Sequence, residues 1–439
     1  MGIFDIFKRK EDRPSKENKP VYEKLPPNYW EEYSYMQVVP KTGGRQSFDE
    51  DFRNRIRDIE GVEIKSFDIP VVGGTGKTVL SYCGEDYEVN FYWGDFRLHE
   101  TLQRQNQYFS EAQMQTLAAA NSALVMYMKF GKDPKVSYHL QLKLADAMIP
   151  GFAGLVDESA EKLLCYDWVK MAAESKVLPS SKALFIIQAV YDEKTGEVWL
   201  HTHGLARCGL TELEILQSDR EHYNEHGAVI NTLASRLLDK DKVRDNTAYI
   251  GQLTNGAPVV AVMVPWTEGL HEYKNLKFGG ADDRTEEHGG DTSLIFFYRS
   301  EDDEKNKRLR KVSELDKEWG DNPMFFISNE ETERMSMLAR ERFEYLKMHA
   351  DNKEYHILIK VGLKTDLPDM EKEHIWFELK GFEGEAFRAV LTQEPFADLG
   401  MHTGDEGVYT VDDVTDWIVY TPKVAITPET AYLLRIALI

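Results

Sequence analysis

The sequence predicts an α+β fold divided into several domains, and three observations carry that prediction. Strand-length stretches of alternating apolar and polar residues recur along the chain, and amphipathic segments with capping residues fall between them. Two charge-dense stretches, at 1–28 and 301–320, interrupt the pattern. The 439 residues suffice for two or three domains with their own cores, and an apolar share of 42% marks a globular chain. Mixed or antiparallel sheets with packed helices are expected, ending in a small helix-plus-β domain.

Residues 1–28 are charged, carry proline and lack an apolar period, so they are expected to form a disordered tail. A small β-α-β module with a hairpin is expected over 29–105. Here "YSYMQVVPK" reads as a strand and "SFDEDFRNRIRDIEG" as a helix capped by Ser47, with Glu50 three residues on. "VEIKSFDIP" is the second strand, and a hairpin spans 79–93 around Gly84-Glu85-Asp86. Just before it, Gly76-Lys77-Thr78 matches the end of a phosphate-binding loop. Val71 stands where the first glycine belongs, and a strand follows the lysine where the anion site needs a helix. Nucleotide hydrolysis is excluded on those grounds.

An α+β domain is expected over 106–300. It starts with a helix capped by Ser110, followed by "VMYMKF" and "YHLQLKLADAM", which read as strand-forming or mixed. "DESAEKLLCYDWVKMAAES" reads as one amphipathic helix. The clearest hairpin is "ALFIIQAVYD", the turn "EKTG", then "EVWLHTHGLA". After "ELEILQS", a helix is expected from Asp219 to Leu238, with Ser218 and Glu221 as a capping box. Two strands, "APVVAVMVPW" and "TSLIFFYR", flank the loop "GGADDRTEEHGG". The charged segment 301–320 is expected to be a linker or solvated helix. Over 321–439, the helix "ETERMSMLARERFEYLKMHA" precedes about five short strands, an α+β or small-barrel arrangement.

Acidic residues outnumber basic ones 75 to 53, a net charge of −22. Such a surface repels nucleic acid and anionic lipid and suits a basic protein partner. Cys83, Cys165 and Cys208 are widely spaced with no C-x-x-C pair, which argues for a reducing compartment and against a zinc ribbon. No apolar run reaches membrane-span length, so a cytoplasmic protein without integral membrane association is expected. Oligomeric state is left open.

The strongest candidate chemistry lies in "LHTHGLARCGLTELEILQSDREHYNEHG". On a strand, His201 and His203 share a face. On the following helix, His222 and His226 are four apart, with Glu225 between them in the pattern H-x-x-E-H. Together they predict a zinc-type site for a metal-dependent hydrolase, with Glu225 as general base and Glu212 or Glu214 as a further ligand. The alternative reading makes His226 a core-edge histidine in line with Tyr223, Ile230 and Leu233, on a helix weakened by Gly227. Cys208 beside Arg207 reads as a small buried hydrophobe, and Asp282-Asp283 and Asp412-Asp413 read as solvated turns.

The C-terminal segment resembles a bacterial family, domain of unknown function 2314. The matching pieces are "LARERFEYL", "ILIKVGL" with Lys360, "EHIWFEL" with His374 and Trp376, and "TQEP". They continue through "LGMHTGDEGVYTV" with Gly404-Asp405 to "VTDW" with Asp416-Trp417. The residues before it resemble domain of unknown function 4026. "HTHGLARCGLTELEIL" is similar to a wider pattern, T-x-G then G-x-x-E-x-E-I, which Thr202, Gly204, Gly209, Glu212 and Glu214 fit without requiring the histidines. The resemblance implies fold and bacterial setting but no reaction. In the C-terminal motif, Trp376 and Trp417 are expected to fill the core while Asp405 and Asp416 cap turns. Two functions stand at this point: a non-catalytic protein-binding module, toxin neutralisation being one form, or the metal-dependent hydrolase.

Overall fold

The computed structural model describes residues 20–25, 32–42, 45–69, 74–102, 104, 107–239, 246–253, 256–284, 288–317, 324–368 and 370–435. Most of the 1–28 tail lies outside these. Three mostly antiparallel sheets with packed helices make up the described chain, an α+β architecture.

The first sheet has seven strands: β1 (Ser34–Val39), β2 (Val62–Asp68), β3 (Gly76–Tyr82), β4 (Glu85–Asp95), β5 (Ser122–Met128), β6 (Gly154–Asp157) and β7 (Lys162–Leu164), in the order β2-β3-β4-β5-β1-β6-β7. The expected boundary at 105/106 would cut this sheet, because β5 pairs with both β4 and β1. The first domain therefore continues past residue 164. Helix α1 (Glu50–Arg57) is capped by Asp49, whose carboxylate accepts from the Phe52 N–H; the expected cap, Ser47, instead donates to Asp49. Lys77 and Thr78 lie inside β3, so a strand does follow the lysine.

Helix α2 (Glu111–Ala119) has the expected Ser110 cap, completed by Gln113. "YHLQLKLADAM" is helical, within α3 (Pro134–Met148). Its apolar residues look strand-like because α3 is buried nearly all round, from Tyr138 through Met148, which erases a one-sided period. The segment read as one helix over 157–175 splits into a short turn, β7 and α4 (Tyr166–Glu174).

The second sheet contains β8 (Ile186–Tyr191), β9 (Val198–His203), β10 (Glu212–Ser218), β11 (Thr247–Gln252), β12 (Pro258–Pro265) and β13 (Thr292–Tyr298), with the short strands β14 (Arg310–Lys311) and β15 (Met324–Phe325). Its path is β15-β11-β12-β13-β10-β9-β8, and β14 pairs with β13. Helix α5 (Tyr223–Leu238) covers one face, and the short α6 (Trp266–Gly269) lies on the other. The expected capping box at Ser218 does not form: Asp219 accepts from the N–H groups of Glu221 and His222, and α5 begins at Tyr223. Within 301–320, expected as a linker or solvated helix, the chain forms the short helix α7 (Glu301–Lys305), then β14 and a helical turn whose Val312 and Leu315 enter the core. Most charged side chains of this segment are exposed, but Asp303 is buried and pairs with Arg308 and Arg310.

One continuous core joins the first two sheets, from Phe52 and Phe91 through Tyr138 to Leu200, Val229 and Leu233. At the seam, Arg207 is wholly buried and holds Asp157 of β6 through two bonds, of 2.6 and 2.9 Å. It also donates to Ser34 Oγ and the Leu184 carbonyl.

The third sheet orders β16 (His356–Leu367), β17 (Met370–Glu383), β18 (Ala386–Leu391), β19 (Glu406–Thr410), β20 (Val414–Tyr420) and β21 (Ala425–Ile426) as β19-β18-β17-β16-β20-β21. The expected single helix is two, α8 (Asn329–Glu341) and α9 (Phe343–His349), broken at Arg342. A short α10 (Tyr432–Arg435) follows the sheet. Cys165 and Met171, at α4 of the first domain, belong to the same buried cluster as Phe343 and Trp417. Trp417 is buried, with its indole N–H donating to the Ala339 carbonyl, as expected for core packing. Trp376 differs: it is half-buried on the opposite face, with the Lys360 ammonium 5.2 Å from its ring centroid.

Candidate functional site: a histidine cluster at the wall of a cleft

Strand alternation separates the two histidine pairs. On β9, Val198 and Leu200 point into the core beneath α5, whereas Trp199 packs on the other face with Leu216, Trp266 and Phe278. His201 and His203 share the Trp199 face. Helix α5, which begins beside His222 and carries His226, lies against the opposite face. The four histidines therefore do not meet. Among the described residues, the metal-compatible groups are His201, His203 and His288 on one side and Asp219, His222 and Asp316 on the other.

The second group is already satisfied internally. His222 Nδ1 pairs with Asp219 at 3.0 Å, and buried His226 bonds Ser218 Oγ and Asp316, each at 2.8 Å. Those bonds dock the turn before residue 316 onto α5. His226 acts as a buried structural histidine, the alternative reading of the sequence. Glu225, on α5, belongs to neither group.

The first group has a different character. Ligand-type nitrogens of His201, His203 and His288 all lie within 4.8 Å of one another, and the His201 and His288 ring centroids are 4.4 Å apart. His201 is 1% exposed, and neither of its ring nitrogens has a hydrogen-bond partner. An imidazole so placed forfeits about 1–3 kcal/mol per unsatisfied group, and such groups call for an unseen ion or water. Burial pushes His201 down to about 2, with the neighbouring His203, His288 and Arg284 adding to the shift. Burial likewise lowers His203 to about 4. Both rings are neutral near pH 7, the form that ligates a metal.

His288 comes from the loop "GGADDRTEEHGG", which the sequence marks only as charged and glycine-rich. Arg284 holds that loop. Its guanidinium makes paired bonds of 2.8 and 2.7 Å to Glu214 and donates to the His288 carbonyl at 2.9 Å. Trp199 Nε1 also donates to Glu214, at 3.1 Å. Glu214 is thus an anchor beneath the cluster, opposite His201 in the β9–β10 register, and its oxygens are already engaged.

The T-x-G and G-x-x-E-x-E-I pattern has a physical account. Glu212 accepts from Thr202 Oγ1 at 2.6 Å and from the N–H groups of Gly204 and Ala206 at 2.9 Å. Burial raises this carboxyl to about 7 against those hydrogen bonds. Gly204 sits at φ +113°, and a Cβ there would lie 2.4 Å from the Leu184 carbonyl oxygen. Gly209 closes the turn at φ +73°. Together these residues form the corner that ends β9 at His203. Glu212 and Glu214 therefore support the site from beneath and do not serve as the further ligand expected of them. Cys208, beside Arg207, is pushed up to about 12 by burial and behaves as the expected small hydrophobe.

His203 opens onto a cleft of about 590 Å³ between the first and second sheets. Tyr33, Tyr35 and Tyr92 line one side, and Glu158 and Glu161 another. Glu161 adopts φ +47°, unusual for a side-chain-bearing residue, and places a carboxylate oxygen 3.8 Å from His203 Nε2. Gln188 holds the other oxygen.

Three family models match the chain: the N-terminal part of the protein of unknown function DUF4026 at 34–179, its C-terminal part at 187–296, and DUF2314, an uncharacterized protein conserved in bacteria, at 331–437. The first boundary coincides with the passage from the first sheet to the second. No curated protein and no solved structure matches the chain.

Proposed function

We propose that this member of the DUF4026 family, extended by a DUF2314 domain, is a metal-dependent hydrolase whose metal is held by His201, His203 and His288. The observation that carries the reading is buried His201, with both ring nitrogens unpartnered inside a cluster of three imidazoles. Three histidines, one of which, His203, lines a cleft, match the protein ligands of a catalytic zinc ion, and zinc is the ion this chemistry favours. Glu161, beside His203 at the cleft wall, is the general base. An ion held by these three imidazoles would make a water more acidic and polarise a substrate carbonyl. Glu161 would take the proton as the water oxygen adds to the carbonyl carbon, and return it to the leaving group as the bond to that group breaks. The other expectation, a protein-binding module, rests on the acidic composition, the lack of a coherent catalytic set in the sequence and the division into small α+β modules.

The test is hydrolysis of 4-nitrophenyl acetate by zinc-loaded protein. Glu161→Gln should retain zinc while the rate falls by about 10²–10⁴, the usual worth of a general base. Hydrolysis indifferent to chelation would sink the reading, and loss of zinc from Glu161→Gln would make this residue a ligand.

A further inference from the structure

We infer that the cleft selects a cationic substrate, one presenting a guanidinium or ammonium group such as a basic peptide side chain; this deepens the hydrolase reading by naming its substrate class. The lining carboxylates are Asp95, Glu158, Glu161 and Glu212, against a single cation, Arg207. Arg207 contributes no net positive charge to the cavity, because Asp157 neutralises it through two bonds within the core. Glu212 is directed inward onto Thr202, Gly204 and Ala206, which leaves Glu158 and Glu161 as the charges a ligand meets, with Asp95 at the rim offset in part by its exposed pairing to Arg45 at 3.1 Å.

The lining is also aromatic, with Tyr33, Tyr35 and Tyr92. Tyr35 stacks on Tyr127 with centroids 4.9 Å apart, and Tyr33 meets Tyr127 edge-on at 5.7 Å. The face of a tyrosine ring attracts cations, and this stack already holds one: the Lys129 ammonium lies 4.9 Å from the Tyr33 centroid. Tyrosine rings and carboxylates lining one cavity of about 590 Å³ are the pairing that recognises organic cations, and the volume accommodates an arginine-sized group. The net charge of −22 would steer the same ligands toward the molecule.

The probes are N-acetyl-arginine amide and its citrulline counterpart, in which a neutral urea replaces the guanidinium at nearly constant shape. Calorimetry on the full chain, zinc-loaded and chelator-stripped, reads both. The arginine probe should bind tighter by a factor on the order of ten, and added salt should weaken it. The Asp95→Asn, Glu158→Gln double variant, changed only at exposed carboxylates, should lose most of that preference. Equal binding of the two probes, or tighter binding of N-acetyl-glutamate amide, overturns the inference while leaving the metal reading standing. Discrimination by a protein that binds no zinc supports the inference and sinks the metal reading.

Discussion

His201 illustrates how much a single residue's surroundings decide. In sequence it is half of an H-x-H pattern that twelve histidines readily produce. In the fold it is a buried ring with both nitrogens unpartnered. The strand period correctly put His201 and His203 on one face. Nothing local revealed His288, which joins them from a loop 85 residues beyond His203 only because Arg284 grips Glu214. That grip makes a prediction: Arg284→Ala leaves Glu214 buried without its balancing charge, with only the Trp199 indole N–H still donating to it. The variant should lose about 3–5 kcal/mol of stability in urea unfolding, the usual cost of breaking a buried pair, and weaken zinc binding about 10–100-fold. Glu214→Gln should be milder, because it removes the charge that Arg284 balances. Lys162 supplies a pH prediction. Its ammonium is buried and bonded only to the carbonyls of Lys182 and Ala183, and burial lowers it to about 7. The folded value lies below the unfolded one, so the unfolded chain binds more protons from pH 7 up to the ordinary lysine range. Stability therefore rises with pH across that window. In urea midpoints at pH 7, 8 and 9, Lys162→Met should abolish that rise.

Among the elements, the corner from β9 to β10 positions the site most directly. Its residues were visible as the T-x-G and G-x-x-E-x-E-I pattern, but their role was not, because Glu212 reads as a ligand until its three hydrogen bonds are seen. Gly204→Ala should cost about 1–3 kcal/mol, since the added Cβ meets the Leu184 carbonyl at a backbone angle that side chains avoid. Gly209→Ala, where a Cβ meets nothing within 4 Å, should cost only the left-handed penalty of about 1 kcal/mol. Urea unfolding of the two variants separates these cases. Strands and caps with strong local signals, β1, the β8–β9 hairpin and the Ser110 cap, were legible from the chain. Helix α3 was not, because burial on all sides removes the amphipathic period. Over 301–320 the sequence left linker and helix both open and did not show the docking, since the many charges hide Val312 and Leu315, the apolar residues that enter the core.

Across the whole molecule, the division of the chain follows contacts more than composition. The first sheet crosses residue 105 because β5 inserts between β4 and β1, a long-range pairing that no local stretch announces. The C-terminal domain is docked closely. Glu341 accepts from Ser175 Oγ and the Lys176 N–H, Tyr432 Oη accepts from the Tyr108 N–H, and Arg334 donates to the Leu178 carbonyl. Removing residues 321–439 should expose Cys165, Met171 and Trp168. That truncated chain should bind a hydrophobic dye such as ANS more strongly than the full chain does; an unchanged signal would mean that the contact contributes little. The same long-range logic holds at the cleft, whose walls come from β1, β4, the turn after β6 and the end of β9. The central claim is that His201 and His203 of β9 and His288 of a distant loop hold one metal ion. Plasma mass spectrometry on untagged, zinc-loaded and desalted protein tests it most directly. About one zinc per chain should remain in the wild type and in His222→Ala, and almost none in His288→Ala. A wild type without zinc, or a His288→Ala variant that keeps it, would contradict the account.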